Sequence, residues 1–145
     1  MPLPRAALYG QGENLHVAVW PGSLRNTGDI TRYLALEGRS FVLSVSSVMR
    51  QEWLPEDLPA SEGLKAHEED WLCDGGSCIA GPDGSWIIEP QQYEEGVYTA
   101  ELDLNQVYRE RQNFDPAGHY SRPDVTRLVV NRERQGTVIF EDEWD

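Results

Sequence analysis

The sequence predicts an α/β protein built on a mixed sheet. Three stretches carry that prediction. Residues 14–49 read strand, helix, strand; Ser77–Glu89 reads as a β-hairpin; Val97–Leu104 alternates apolar and polar residues strictly. A strand that recurs after about 20 residues leaves room for a crossover helix and too much chain for a tight hairpin. The first pair of strands is therefore expected to be parallel and the second antiparallel.

The elements follow in order. Pro4–Tyr9 reads as a short helix, with proline in its first turn and Gly10 at its end. Leu15–Trp20 (LHVAVW) is an apolar run closed by the breaker pair Pro21-Gly22. Asp29–Gly38 places Ile30, Tyr33, Leu34 and Glu37 at helical spacing, with Asp29 where an N-cap belongs and Gly38 where a C′ residue belongs. Phe41–Val48 (FVLSVSSV) is β-branched, aromatic and small, as a buried strand is.

Gln51–Asp74 is a polar, acidic loop with Trp53 and Trp71 embedded, a short helix near Ser61–Trp71, and Gly75-Gly76 at its end. In Ser77–Glu89, the turn Gly81-Pro82-Asp83-Gly84 combines a proline that presets φ with a glycine that supplies φ > 0. Val97–Leu104 puts Tyr98, Ala100, Leu102 and Leu104 on one face and Thr99, Glu101 and Asp103 on the other, the pattern of a half-buried strand. Asn105 is expected to cap a helix that runs to about Gln112. Asn113–Asp124 is loop by composition. Leu128–Val130 and Thr137–Phe140 are short strand candidates, and Glu141–Asp145 is an acidic tail expected to be mobile.

Composition excludes some functions. The 145 residues suit a single domain and carry 25 Asp and Glu against 12 Lys and Arg, a net charge of −13. Such a surface repels a phosphate backbone and an anionic bilayer, so neither nucleic acid nor membrane is an expected partner. No apolar run approaches the roughly 18 residues of a membrane span. No secretory signal is visible in MPLPRAALYG, and a cytoplasmic location is the expectation.

The chemistry-bearing residues are sparse. His16, His67 and His119 show no metal-ligand spacing, so no metal is expected. His16 opens a buried strand and reads as a hydrogen-bonded core histidine; His119 reads as structural. Cys73 and Cys78 flank Asp-Gly-Gly-Ser and do not form CxxC. A nucleophilic thiol needs a base brought near in space, and nothing adjacent supplies one. Cys78 is expected as a small core residue of the hairpin strand and Cys73 as a loop residue. The abundant carboxylates, as in Glu68-Glu69-Asp70, read as a solvated face.

Four stretches, in this order and spacing, resemble the nitrilase family of carbon–nitrogen hydrolases. They are Met1–Gly12 with His16–Gly22, Thr31–Val48, Gly75–Glu89 and Gly118–Val125. The nitrile-cleaving members are more similar than the amidase branches. The family reaction needs no cofactor. A cysteine thiolate attacks the nitrile carbon, a thioimidate forms, ammonia leaves, and water releases the carboxylic acid. The family's Cys-Trp-Glu motif precedes the segment that matches Met1–Pro4, and its Glu and Lys lie further upstream. None of the three has a matching position here, so no catalytic residue is carried over.

The resemblance thus implies the C-terminal half of a nitrilase, cut just after its nucleophile, with Met1 an internal methionine. The implied architecture is half of a four-layer α-β-β-α sandwich. Residues 1–125 would form the hydrolase part and 126–145 a C-terminal extension. One inner sheet face would lie uncovered and favour association. The implied partners are a second copy or a complementary N-terminal half, met through helices 4–9 and 29–38; segment 51–74 and the tail resemble regions of higher assembly. The strand ends supply the substrate-pocket candidates Trp20, Pro21, Ser46 and Met49. A small nitrile would be bound only in the complemented protein. A reading from another class, a non-catalytic subunit that docks on a full-length homologue, fits the same residues.

Overall fold

The computed structural model describes residues 1–59, 61–65, 69–133 and 136–137. One mixed sheet carries a helix on one face. Helix α1 spans Pro2–Tyr9, strand β1 Leu15–Trp20, helix α2 Leu24–Gly38, strand β2 Phe41–Ser46 and strand β3 Val48–Arg50. A short 3-10 turn, Gln51–Trp53, and helix α3, Ser61–Lys65, follow. Strands β4 (Trp71–Ala80) and β5 (Trp86–Gln92) form the hairpin, and helix α4 spans Asn105–Asn113.

The expected parallel pair is present: β1 runs beside β2, with Leu15 opposite Phe41 and Trp20 opposite Ser46. The long strand β4 pairs antiparallel with β2 through Val42–Ser44 and, further along, with β3 through Val48–Arg50. The single strand expected over Phe41–Val48 is thus two, broken at Ser47. Strand β5 pairs antiparallel with the other edge of β4. The turn between them closes as expected, with Gly84 N–H donating to Gly81 O at 2.8 Å and Gly84 at φ +77°.

The core lies between the sheet and α2. Ala18, Val42 and Ala80 from three strands meet Leu34 and Ala35, with Trp20, Ile30 and Trp86 packed around them. Thr31 and Cys78 are buried in the same layer. The alternation of the strands sends Val17, Val19, Leu43, Val45 and Ile79 to the opposite face. There Val17, Val19 and Val45 are 58%, 77% and 50% exposed. The sheet is therefore covered on one side and open on the other. Covering a valine fully is worth roughly 1.5 kcal/mol or more, so this face carries an unused driving force.

Helix α2 starts five residues before the expected Asp29. Its N-cap is Ser23, and Asp29 stands exposed inside the helix. The first turn, LRNTG, lacks apolar periodicity because Thr27 and Gly28 are buried by close packing rather than by size. Gly38 is the last helical residue rather than C′; Arg39 takes the left-handed conformation at φ 47°. A Cβ at Gly38 would stand 2.5 Å from the Tyr9 ring, so the glycine is needed for close approach of α1.

Four further expectations are corrected. The glycines Gly75 and Gly76 do not end a loop; they lie inside β4 at φ +93° and +101°, which brings Cys73 into the strand. A Cβ on Gly76 would press on the backbone of Leu24, so the strand bends around the start of α2. The short helix ends at Lys65, and Trp71 begins a strand. Val97–Leu104 forms no strand, because its alternation needs a neighbouring strand and none lies beside it among the described residues. Leu128–Val130 is likewise unpaired and exposed.

Helix α4 begins at Asn105 as a helical residue. Its N–H is taken by Asp103 Oδ1 at 3.0 Å, which assigns the capping role to Asp103. Asn113 still belongs to α4, and residues 114–124 are irregular, as expected, with Phe114 against Tyr120. His16 is half-buried rather than fully buried and bonds through Nδ1 to Glu13 Oε1 at 2.6 Å. His119 is exposed beside Tyr120. His67, most of Thr137–Phe140 and the tail lie outside the described residues. Among those described, no helix is long and apolar enough to cross a membrane.

Candidate functional site

Two adjoining clefts lie on the open side of the sheet, each about 270 Å³. One is apolar, between Leu43, Val45, Ile79 and Ile88 of the strands and Val97 and Tyr98 above them. The other is polar, at the C-terminal end of β2. Ser46, Ser47 and Ser77 form its floor, with Gln91, Glu94 and Glu95 at its rim. Val45, Ser77 and Tyr98 line both. Strand ends at the edge of a parallel pair are where α/β folds place binding sites.

The polar floor is built by a local exchange. Ser46 N–H donates to Ser77 Oγ at 3.0 Å, and that hydroxyl donates to Ser46 O at 3.1 Å. Ser77 thus closes the place where β2 and β4 splay apart before β3 begins. The Ser46 hydroxyl is itself buried and has no partner among the described residues. Ser47 donates its hydroxyl to Pro21 O, which ties the end of β1 to the break. At the rim, Tyr98 donates to Glu94 Oε1 at 2.7 Å. Beneath the break, Asp74 accepts from Leu24 N–H at 2.9 Å and from Gln92 Nε2 at 3.0 Å. The site is therefore anchored to α2 and to β5.

The four residues singled out from sequence are placed unequally. Ser46 lines the polar cleft. Trp20 is its register partner across β1 and β2; such partners share a face, and Trp20 lies on the helix side beside Ile30, with its buried Nε1 lacking a partner among the described residues. Pro21 is exposed at the end of β1 and meets the site only through its carbonyl. Met49 sits on β3 opposite Cys73 and lines neither cleft. Ser77, Tyr98 and Asp74 were missed. Asp74 had a signal in the Asp-Gly-Gly that follows Cys73; Ser77 and Tyr98 had none that distinguishes them from neighbouring strand residues.

Cys78 is among the residues that line the apolar cleft, and Cys73 lines neither cleft. Cys78 is buried, and burial pushes its thiol pKa up against the opposing effect of Thr31 and Ser44. Cys73 pairs with β3 near Gly22. Among the described residues no group of three His, Cys, Asp or Glu side chains could hold a metal ion.

Comparison with known proteins places this geometry. The family model described as carbon–nitrogen hydrolase matches residues 1–112. An aliphatic nitrilase of Sinorhizobium fredii (strain HH103) is 37% identical over 141 residues, covering 96% of this chain and 44% of the relative. Nitrilase 1 of Arabidopsis thaliana is 35% identical over 143 residues, covering 97% and 41%. The crystal structure of XC1258 from Xanthomonas campestris, a CN-hydrolase superfamily protein, superposes with a TM-score of 0.53 at 19% identity, covering 81% of this chain and 37% of that one. At that identity the superposition speaks for the fold alone, and it bears out the expected α/β class as part of a larger hydrolase fold. The chain spans less than half the length of these relatives. With a family model matched over most of its residues and the sheet to go with it, the chain belongs to the carbon–nitrogen hydrolase family.

Proposed function

We propose that this chain supplies the C-terminal half of a nitrile-hydrolysing site and is inactive by itself. The open sheet face with its paired clefts carries the proposal: it offers wall and floor for a small apolar substrate. The apolar cleft suits the carbon skeleton of a nitrile, and the serine floor suits its polar end. Complementary chain brought over this face would contribute the thiolate, the general base and the amine that the resemblance assigns upstream of Met1. The exposed Leu3, Leu8, Tyr33 and Leu36 on α1 and α2 offer a second contact, for pairing of two such assemblies.

Neither cysteine replaces the missing nucleophile, since Cys78 is buried and both sit on β4. Loss of a nucleophile costs about 10⁶-fold in a serine-protease triad, or about 8 kcal/mol of barrier. The purified chain should release no ammonia from small aliphatic or aryl nitriles above a protein-free blank. Ammonia release by the chain alone, abolished by Cys78→Ala or Cys73→Ala, overturns this reading. The open face also serves the alternative of a non-catalytic module. Binding to a nitrilase chain with no gain of activity would favour that module.

A further inference from the structure

We propose that residues 97–103 form a strand-addition arm, which completes a β-sheet with a strand from the complementary part of a carbon–nitrogen hydrolase chain. The inference rests on the proposal that such a part covers the open face, and it identifies a second, directional contact.

Two independent observations meet on this segment. In the sequence it has the period-two pattern of a strand with one face apolar (Tyr98, Ala100, Leu102) and one polar (Thr99, Glu101, Asp103). In the structure, residues 94–103 run without helix, ladder, turn or bend. No backbone N–H or C=O of residues 94–102 has a backbone partner among the described residues. Val97 is 94% exposed. A strand-patterned stretch with a full row of free donors and acceptors is a template for another strand.

The position of the arm in the fold indicates what fills it. The arm leaves from the rim of the open face, where Val97 and Tyr98 cover the cleft over Leu43, Ile79 and Ile88. A body that covers that face meets the arm next. Relatives carry more than half their length outside the part matched here, enough chain for a second sheet. A second copy of this chain is disfavoured: it brings the same acidic row, Glu94, Glu95, Glu101 and Asp103, and a net charge of −13. The partner strand therefore presents neutral or basic residues opposite Glu101 and Asp103.

The test co-expresses this full chain with the part of the Sinorhizobium fredii aliphatic nitrilase that precedes its matched segment. Hydrogen exchange is then followed at amides 97–103, in the complex and in the free chain. The expected result is co-purification with at least tenfold slower exchange at alternate amides in the complex only. Ala100→Pro and Glu101→Pro remove N–H groups that point to opposite edges. At least one should cut recovery of the complex tenfold, while Glu101→Gln, which keeps its N–H, leaves the arm competent. Co-purification with fast exchange at 97–103 and no effect of either proline overturns the arm and leaves the proposed function standing. Absence of any complex overturns both. Slow exchange at 97–103 in the free chain at dimer mass assigns the arm to a second copy and overturns the proposed partner.

Discussion

The Asp74 carboxylate of β4 receives the first free backbone N–H of α2: Leu24 N–H reaches its Oδ1 at 2.9 Å, across 50 residues of sequence. The N-cap residue Ser23 makes no side-chain cap bond. The strand thus supplies what the local sequence does not, and the negative charge also suits the positive end of the helix. Asp74→Ala should lower stability by about 1–2 kcal/mol, in the range of lost N-caps. Asp74→Asn keeps an acceptor and should lose less than half of that. Urea denaturation of both variants checks the order; equal stability of Asp74→Ala and wild type would refute the cap.

Gly38 and Tyr9 are in contact that admits no Cβ. Gly38→Ala should therefore destabilise by about 1–3 kcal/mol, as overpacking does, despite alanine's better helix propensity. The Tyr9 ring gives way first, so its fluorescence or proton shifts should move while the β-hairpin signals stay fixed. A stabilised variant would show that α1 is free to retreat.

Glu37 gathers α1 onto α2. It accepts from Arg5 Nε at 2.5 Å, from Tyr9 at 3.0 Å and from Tyr33 at 2.9 Å. Burial pushes its carboxyl pKa up, but the hydrogen bonds from Arg5, Tyr33 and Tyr9 together outweigh burial and hold it below the ordinary 4.5. A carboxyl lowered by folding stabilises fully above its unfolded value and loses that contribution as pH falls through its folded value. Wild type should therefore lose stability between pH 5 and the folded value more steeply than Glu37→Gln, which does not titrate. Near neutral pH the variant should be weaker by about 1–2 kcal/mol. Parallel pH–stability curves would sink this account.

The two thiols should differ in reactivity. Burial raises the Cys78 thiol and shuts out reagent, whereas Cys73 is half-buried. At pH 8 an aromatic disulfide reagent should modify Cys73 at least tenfold faster, and Cys78 only on unfolding. Fast modification of Cys78 in the native chain, read by mass spectrometry, would contradict the packing.

Much of the scaffold was legible because it rests on local signals. The run LHVAVW bounded by Pro21-Gly22 became β1 at its expected limits, and GPDG became the turn. The candidate site was legible only in part. Ser46 could be placed at a strand end from spacing, but Trp20 could not be assigned to a face, because a one-residue change of register sends a side chain to the other side of a sheet. Ser77 matters here only because β2 and β4 splay beside it.

The sequence by itself determined the centres of α1, β1, α2, β2, the β4–β5 hairpin and α4, that β1 and β2 run parallel, and that the chain carries a net charge of −13. These follow from periodicity, turn chemistry and chain length, which act over a few residues. Tertiary structure alone decided that α2 starts at Leu24 under Asp74, that Gly75-Gly76 bend a strand rather than end a loop, and that Val97–Leu104 stands without a ladder. Each depends on a group distant in sequence, or on its absence, and a backbone donor or an apolar face finds its partner only once the chain has folded.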